Sequence, residues 1–115
     1  MPGFCVKCHC QSCRVSSGGL FSVNLPVPTK DLTINGTPKV YVDKDTTSGK
    51  PVYRNFCGDC GCAIVSTTEA EGHAIGYVKG GLFTKAGIDL PPPGAEVFWH
   101  RREKWEKPTD GVELH

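Results

Sequence analysis

Three thiols crowd into the six residues Cys8-His9-Cys10-Gln11-Ser12-Cys13, and a second group follows at Cys57-Gly58-Asp59-Cys60-Gly61-Cys62. Sulfurs packed this densely constrain the chain more than any other feature, because they must bond to each other, hold a metal or be buried. Cys10–Cys13 and Cys57–Cys60 share the two-residue spacer that lets one tight turn present two sulfurs to one ion at ~2.3 Å. Gly58 and Gly61 suit such a turn, since positive φ costs glycine nothing. Cys8 and Cys10 are two residues apart, so in extended chain their side chains share a side, and Cys13 joins them from the following turn. Zinc is the expected metal. Three ligands rather than four leave one coordination position open, which is where chemistry takes place. Three thiolates on a divalent zinc carry a net charge of about −1, which makes a poor generator of hydroxide but a good holder of a further thiolate. Cytidine-type deaminases activate water at sulfur-rich zinc, but their signature requires His-x-Glu, and this chain has none.

Other properties narrow the field. Seven cysteines are an odd number, so a pure disulfide framework leaves one unpaired; three plus four would instead suit one open and one closed metal site. A length of 115 residues implies one domain, 1–115. Thirteen basic and twelve acidic residues nearly cancel without forming a basic stripe, which disfavours nucleic acid as a partner. No apolar run approaches bilayer length, so no membrane span is expected. The first residues lack the charged and apolar regions of a signal peptide, which makes the cytoplasm the expected location, where thiols stay reduced and favour metal.

Between the cysteine groups the chain reads as short strands. Residues 20–27 alternate apolar and polar and end at Pro26 and Pro28. Residues 32–34 and 39–42 are short β-like runs flanking the turn-forming Asn35-Gly36. Residues 52–56 lead into the second cysteine group, 63–67 lead out of it, and 74–79 and 95–101 complete the set. No sustained helical period is visible, with at most one helical turn near 14–17. Fourteen glycines and nine prolines support frequent turns. The expected class is all-β, built from short antiparallel sheets.

With these residues in view, the sequence resembles the glutathione-dependent formaldehyde-activating enzyme family, which includes centromere protein V. Cys8 to Arg14 (CHCQSCR) matches its Cys-His-Cys-x-x-Cys-Arg motif. The resemblance continues through Phe21-Ser22-Val23-Asn24-Leu25, Gly36-Thr37-Pro38, Ser48-Gly49-Lys50-Pro51-Val52, Phe56 to Gly61, Val78-Lys79-Gly80-Gly81-Leu82, and Val97-Phe98 to Trp105. It implies a β-tent fold, an open zinc on Cys8, Cys10 and Cys13, and a closed four-cysteine zinc of which Cys57 and Cys60 form half. It also implies a carbon–sulfur lyase acting on a thiol such as glutathione. Family members carry a Cys-x-Cys strand further upstream that completes the closed site. This chain reads as an N-terminally shortened member, so its second site is short of ligands. Cys5 and Cys62 would rebuild that site with Cys57 and Cys60. Alternatively, Cys5 and Cys8 would form a ribbon-like knuckle with Cys57 and Cys60, which would end the lyase reading.

Blander readings stand beside these. Cys5 and Cys62 serve equally well as compact buried residues. Arg14 suits a substrate carboxylate, and suits a local salt bridge about as well. His9 should project away from its cysteine neighbours and form hydrogen bonds or touch substrate. Asp59 and Glu69 are candidate proton carriers by proximity alone. The functional expectation is a zinc-dependent carbon–sulfur lyase acting on a thiol adduct of a carbonyl compound. The alternative is a non-catalytic zinc module that binds another protein. The absent strand would expose a sheet edge and invite pairing with a second copy.

Overall fold

The computed structural model describes residues 1–115, which fall into two compact units: Met1–Leu25 with Lys79–His115, and Pro26–Val78. Eight strands dominate and two short helices accompany them, so the chain is all-β as its pattern of short apolar runs implies.

In the first unit, β1 (Cys5–Cys8) lies between β2 (Ser22–Pro28) and β7 (Pro93–Val97), and β8 (Glu113–Leu114) flanks β7. β1 pairs antiparallel with β2, placing Cys8 opposite Ser22 and Val6 opposite Asn24. The expectation of purely antiparallel sheets is corrected here, because β1 runs parallel to β7 and β7 runs parallel to β8. No hairpin joins either pair, so turn geometry does not dictate direction. Helix α1 (Gln11–Ser17) is longer than the single turn expected, and it is closed by Gly18, whose N–H donates to the Arg14 carbonyl at 3.0 Å. Helix α2 (Gly81–Lys85) was not legible in the sequence.

The expected strand over 95–101 ends at Val97. Phe98 turns into the left-handed region (φ 54°), and Trp99–Arg101 forms a 3-10 turn. That reversal brings the Trp99 ring edge-on to His9 at 5.2 Å.

In the second unit, β3 (Lys39–Asp43), β4 (Val52–Phe56), β5 (Ala63–Thr68) and β6 (Ile75–Lys79) pair in sequence order, all antiparallel. β6 ends on Lys79, the first residue of the first unit's second segment. Residues 32–34 are not a strand. Leu32 caps the 3-10 turn Thr29–Asp31, and its side chain fills the notch above Gly76, where a Cβ would lie 2.4 Å from Leu32 Cδ1. Arg54 Nε donates to Asp43 Oδ2 at 2.9 Å, tying β4 to β3. No helix is long and apolar enough to cross a membrane.

Candidate metal centre

The thiol site is assembled by the junction between β1 and α1. Cys8 is the last residue of β1, Cys10 is the N-cap of α1, and Cys13 lies in its first turn. Cys10 caps the helix as serine would, its Sγ accepting the Cys13 N–H at 3.3 Å. Helical side chains lean toward the N-terminus, so Cys13 points back at Cys10 and Cys8. All three Sγ atoms lie within 4.8 Å of one another. Sulfurs around a tetrahedral zinc are about 3.8 Å apart, given the ~2.3 Å bond. The cluster therefore fits such an ion with a contraction of no more than about 1 Å, and the all-sulfur donor set suits zinc.

Hydrogen bonds among the three sulfurs distribute charge unevenly. Bonds to Cys10 and Cys13, together with burial, push the Cys8 thiol far up. Cys10 is also raised, chiefly by Cys13. Cys13 is pulled far down, first by Cys10 and Cys8 and then, against burial, by the Ser22 hydroxyl and the Lys79 charge.

On the other face of β1 lies a buried polar group. Glu96 is fully buried in β7, beside Lys7, and His9 is 1% exposed. His9 Nε2 donates to Glu96 Oε1 at 2.7 Å, the Thr109 N–H donates to Oε2 at 2.6 Å, and Lys7 Nζ lies 3.6 Å away. Burial alone would raise the Glu96 carboxyl, but Thr109, His9 and Lys7 hold it below its ordinary value. An ionised carboxylate only accepts, so Nε2 is the donor in this bond. Nδ1 has no hydrogen-bond partner, its nearest carboxylate oxygen being Glu106 Oε1 at 3.5 Å. His9 thus turns away from the thiols, as its place between two cysteines implies, and anchors the strand that presents them.

The remaining sequence candidates separate by unit. Cys5 is buried in β1, and burial pushes its thiol up. Cys57 and Cys60 hydrogen-bond each other within the second unit. Backbone N–H groups of Cys60 and Asp59 pull the Cys57 thiol down. The turn closes through Gly61, whose φ is 75°; Gly58 keeps an ordinary φ and instead admits the Lys39 side chain. Cys62 Sγ donates to the Ala63 carbonyl at 3.5 Å. Arg14 pairs with Glu103 at 2.5 Å and donates to the Arg101 carbonyl at 3.0 Å. Sequence reasoning missed Glu96, Lys79 and the pairing of Ser22 with Asn24. The last had a signal: polar residues at alternate positions of a buried strand share one face and need partners.

Fold and site together define a small all-β protein with a three-cysteine cluster able to hold a metal ion. The family described as glutathione-dependent formaldehyde-activating enzyme matches residues 1–101, and the chain belongs to it. A search of curated proteins returned no match.

Proposed function

We propose that this protein is a zinc-dependent carbon–sulfur lyase acting on the adduct of a glutathione-like thiol with a small carbonyl compound. The observation that carries the reading is the convergence of Cys8, Cys10 and Cys13 within a chain of the formaldehyde-activating family. Zinc held by these three sulfurs would supply an open coordination position that deprotonates an incoming thiol. Cys8 is fixed by the sheet, Cys10 by the helix cap and Cys13 by its hydrogen bonds, so the chain presents its donors preorganised. Lys79 contributes positive charge beside an otherwise electron-rich cluster. Arg14 reaches a substrate carboxylate only by releasing Glu103.

Cys57 and Cys60 are proposed as half of a second, structural site. Metal stoichiometry tests this: two equivalents of zinc per chain support it, and one opposes it.

The lyase reading is tested by mixing zinc-loaded protein with glutathione and formaldehyde and following the S-hydroxymethyl adduct by NMR. Exchange between adduct and free thiol should exceed the uncatalysed rate and vanish in Cys10→Ser. Exchange at the uncatalysed rate, with metal bound, would refute it. That outcome would favour a non-catalytic interaction module, a reading supported by β3, where Val40 and Tyr41 are 49% and 60% exposed beside a single paired neighbour strand.

A further inference from the structure

We propose that Lys79, Asn24 and Ser22 form a one-way chain of hydrogen-bond donors ending on the Cys13 sulfur, which shields this resident ligand from the electrophile that the substrate sulfur must attack. The inference rests on the metal-site reading of Cys8, Cys10 and Cys13.

The chain is built by register. Ser22 lies opposite Cys8 across the β1–β2 ladder, and Asn24 follows two residues later on the same face. Both are buried, at 3% and 5% exposure, so their polar atoms need partners within the protein. Lys79 Nζ donates to Asn24 Oδ1 at 2.6 Å. An ammonium offers only donors, so the amide cannot be flipped, and its nitrogen must face the other way. There it donates to Ser22 Oγ at 2.8 Å. With its oxygen engaged, Ser22 directs its own proton onward to the Cys13 sulfur. Gly80 sets the origin of the chain. Its N–H donates to the Val23 carbonyl at 2.9 Å, and a Cβ there would lie 2.8 Å from Val23 Cγ1. Only glycine lets the backbone come this close and hold Lys79 beside Asn24.

The chemical need is one of discrimination. Three resident thiolates and an incoming substrate thiolate are the same kind of nucleophile, and a carbonyl electrophile would attack any of them. A hydrogen bond to a thiolate withdraws electron density and lowers its nucleophilicity. The chain delivers that bond to Cys13 and backs it with the full positive charge of Lys79. The substrate sulfur, which is not served by this chain, remains the reactive one.

Ser22→Ala, Asn24→Asp and Lys79→Met would be compared with wild type as zinc-loaded proteins exposed to iodoacetamide, with alkylation of each cysteine mapped by mass spectrometry. Asn24→Asp keeps the shape and the Lys79 pairing, but its carboxylate takes the Ser22 proton away from Cys13. Ser22→Ala and Asn24→Asp should alkylate at Cys13 roughly tenfold faster or more, the factor expected for one lost hydrogen bond to a charged atom. Lys79→Met should show a smaller increase, and Ser22→Thr should restore protection. In cobalt-loaded samples the sulfur-to-metal charge-transfer band should move to lower energy in the same order, a readout that simple loosening of the fold does not produce. Unchanged Cys13 reactivity and an unchanged band in all three variants, with metal still bound, would overturn the donor chain alone. A wild-type protein that takes up neither zinc nor cobalt on these cysteines would overturn the metal-site reading and this inference with it.

Discussion

Replacing Glu96 probes how the strand carrying the cysteines is anchored. Its carboxylate is fully buried and accepts from His9 and Thr109, with Lys7 at 3.6 Å. In Glu96→Gln one amide oxygen serves one of these donors, while the new NH2 group faces the other. One hydrogen bond to a charged group is lost, worth about 1.5–3 kcal/mol. Glu96→Ala leaves both donors unmet and the nearby charge without its counterpart, costing about 3–5 kcal/mol. At about 2.1 cal/mol/K per residue, a chain of this length unfolds with an entropy near 0.24 kcal/mol/K, so these losses lower Tm by roughly 6–12 °C and 12–20 °C.

The effect has a pH signature. The folded carboxyl titrates below its unfolded value of about 4.3, so its stabilisation is complete above that pH and fades as pH falls through the folded value. Urea unfolding followed by Trp99 and Trp105 fluorescence should show a gap between wild type and Glu96→Gln at pH 7 that closes below about pH 4. A gap under about 0.5 kcal/mol at neutral pH, the size of an ordinary surface substitution, would refute the anchoring argument. So would a gap that persists in acid.

Other expectations follow from single contacts. Leu25→Ala, at a fully buried site, should destabilise by about 2–5 kcal/mol in chemical denaturation, and a loss under 1 kcal/mol would contradict its place in the core. Gly80→Ala pushes a methyl group against Val23 and Leu90; a cost of about 1–3 kcal/mol is expected from thermal melts, and unchanged stability would mean the backbone approach is not tight. The Tyr77 phenol, raised by burial and by hydrogen bonding to Glu71, is pushed up to about 12; spectrophotometric titration should find a tyrosine ionising near that pH, with Glu71→Gln bringing it down. Cys13→Ser should remove one equivalent of bound zinc as measured by elemental analysis, and retention of that equivalent would remove Cys13 from the site.

The thiol cluster was legible because its cysteines are neighbours in the chain, with Cys8, Cys10 and Cys13 within six residues. Strands such as β4 and β5 were legible for a similar reason, their apolar residues being bounded by turns. β1 was hidden because both its ends are cysteines, whose clustering signals metal chemistry and masks their place as buried strand positions. Residues 32–34 looked like a strand, yet Leu32 is apolar in order to fill the space above Gly76. Glu96 was the least legible. Between Ala95 and Val97 it reads as a solvent-facing strand residue, and only the remote positions of His9, Lys7 and Thr109 explain its burial. Lys79 and Asn24 are likewise separated by 55 residues, a distance no local pattern spans.

The three sulfurs span only six residues, and that has a consequence for how the protein would acquire an ion. Closing so short a loop costs an unfolded chain little entropy, so the nascent polypeptide could gather these three donors around a metal ion before any strand has found its partner. Binding to the unfolded chain offsets part of what the ion adds to the stability of the preorganised native site. Chelation of a metal-loaded sample should therefore empty the three-cysteine cluster while leaving the β-scaffold standing, ready to be reloaded.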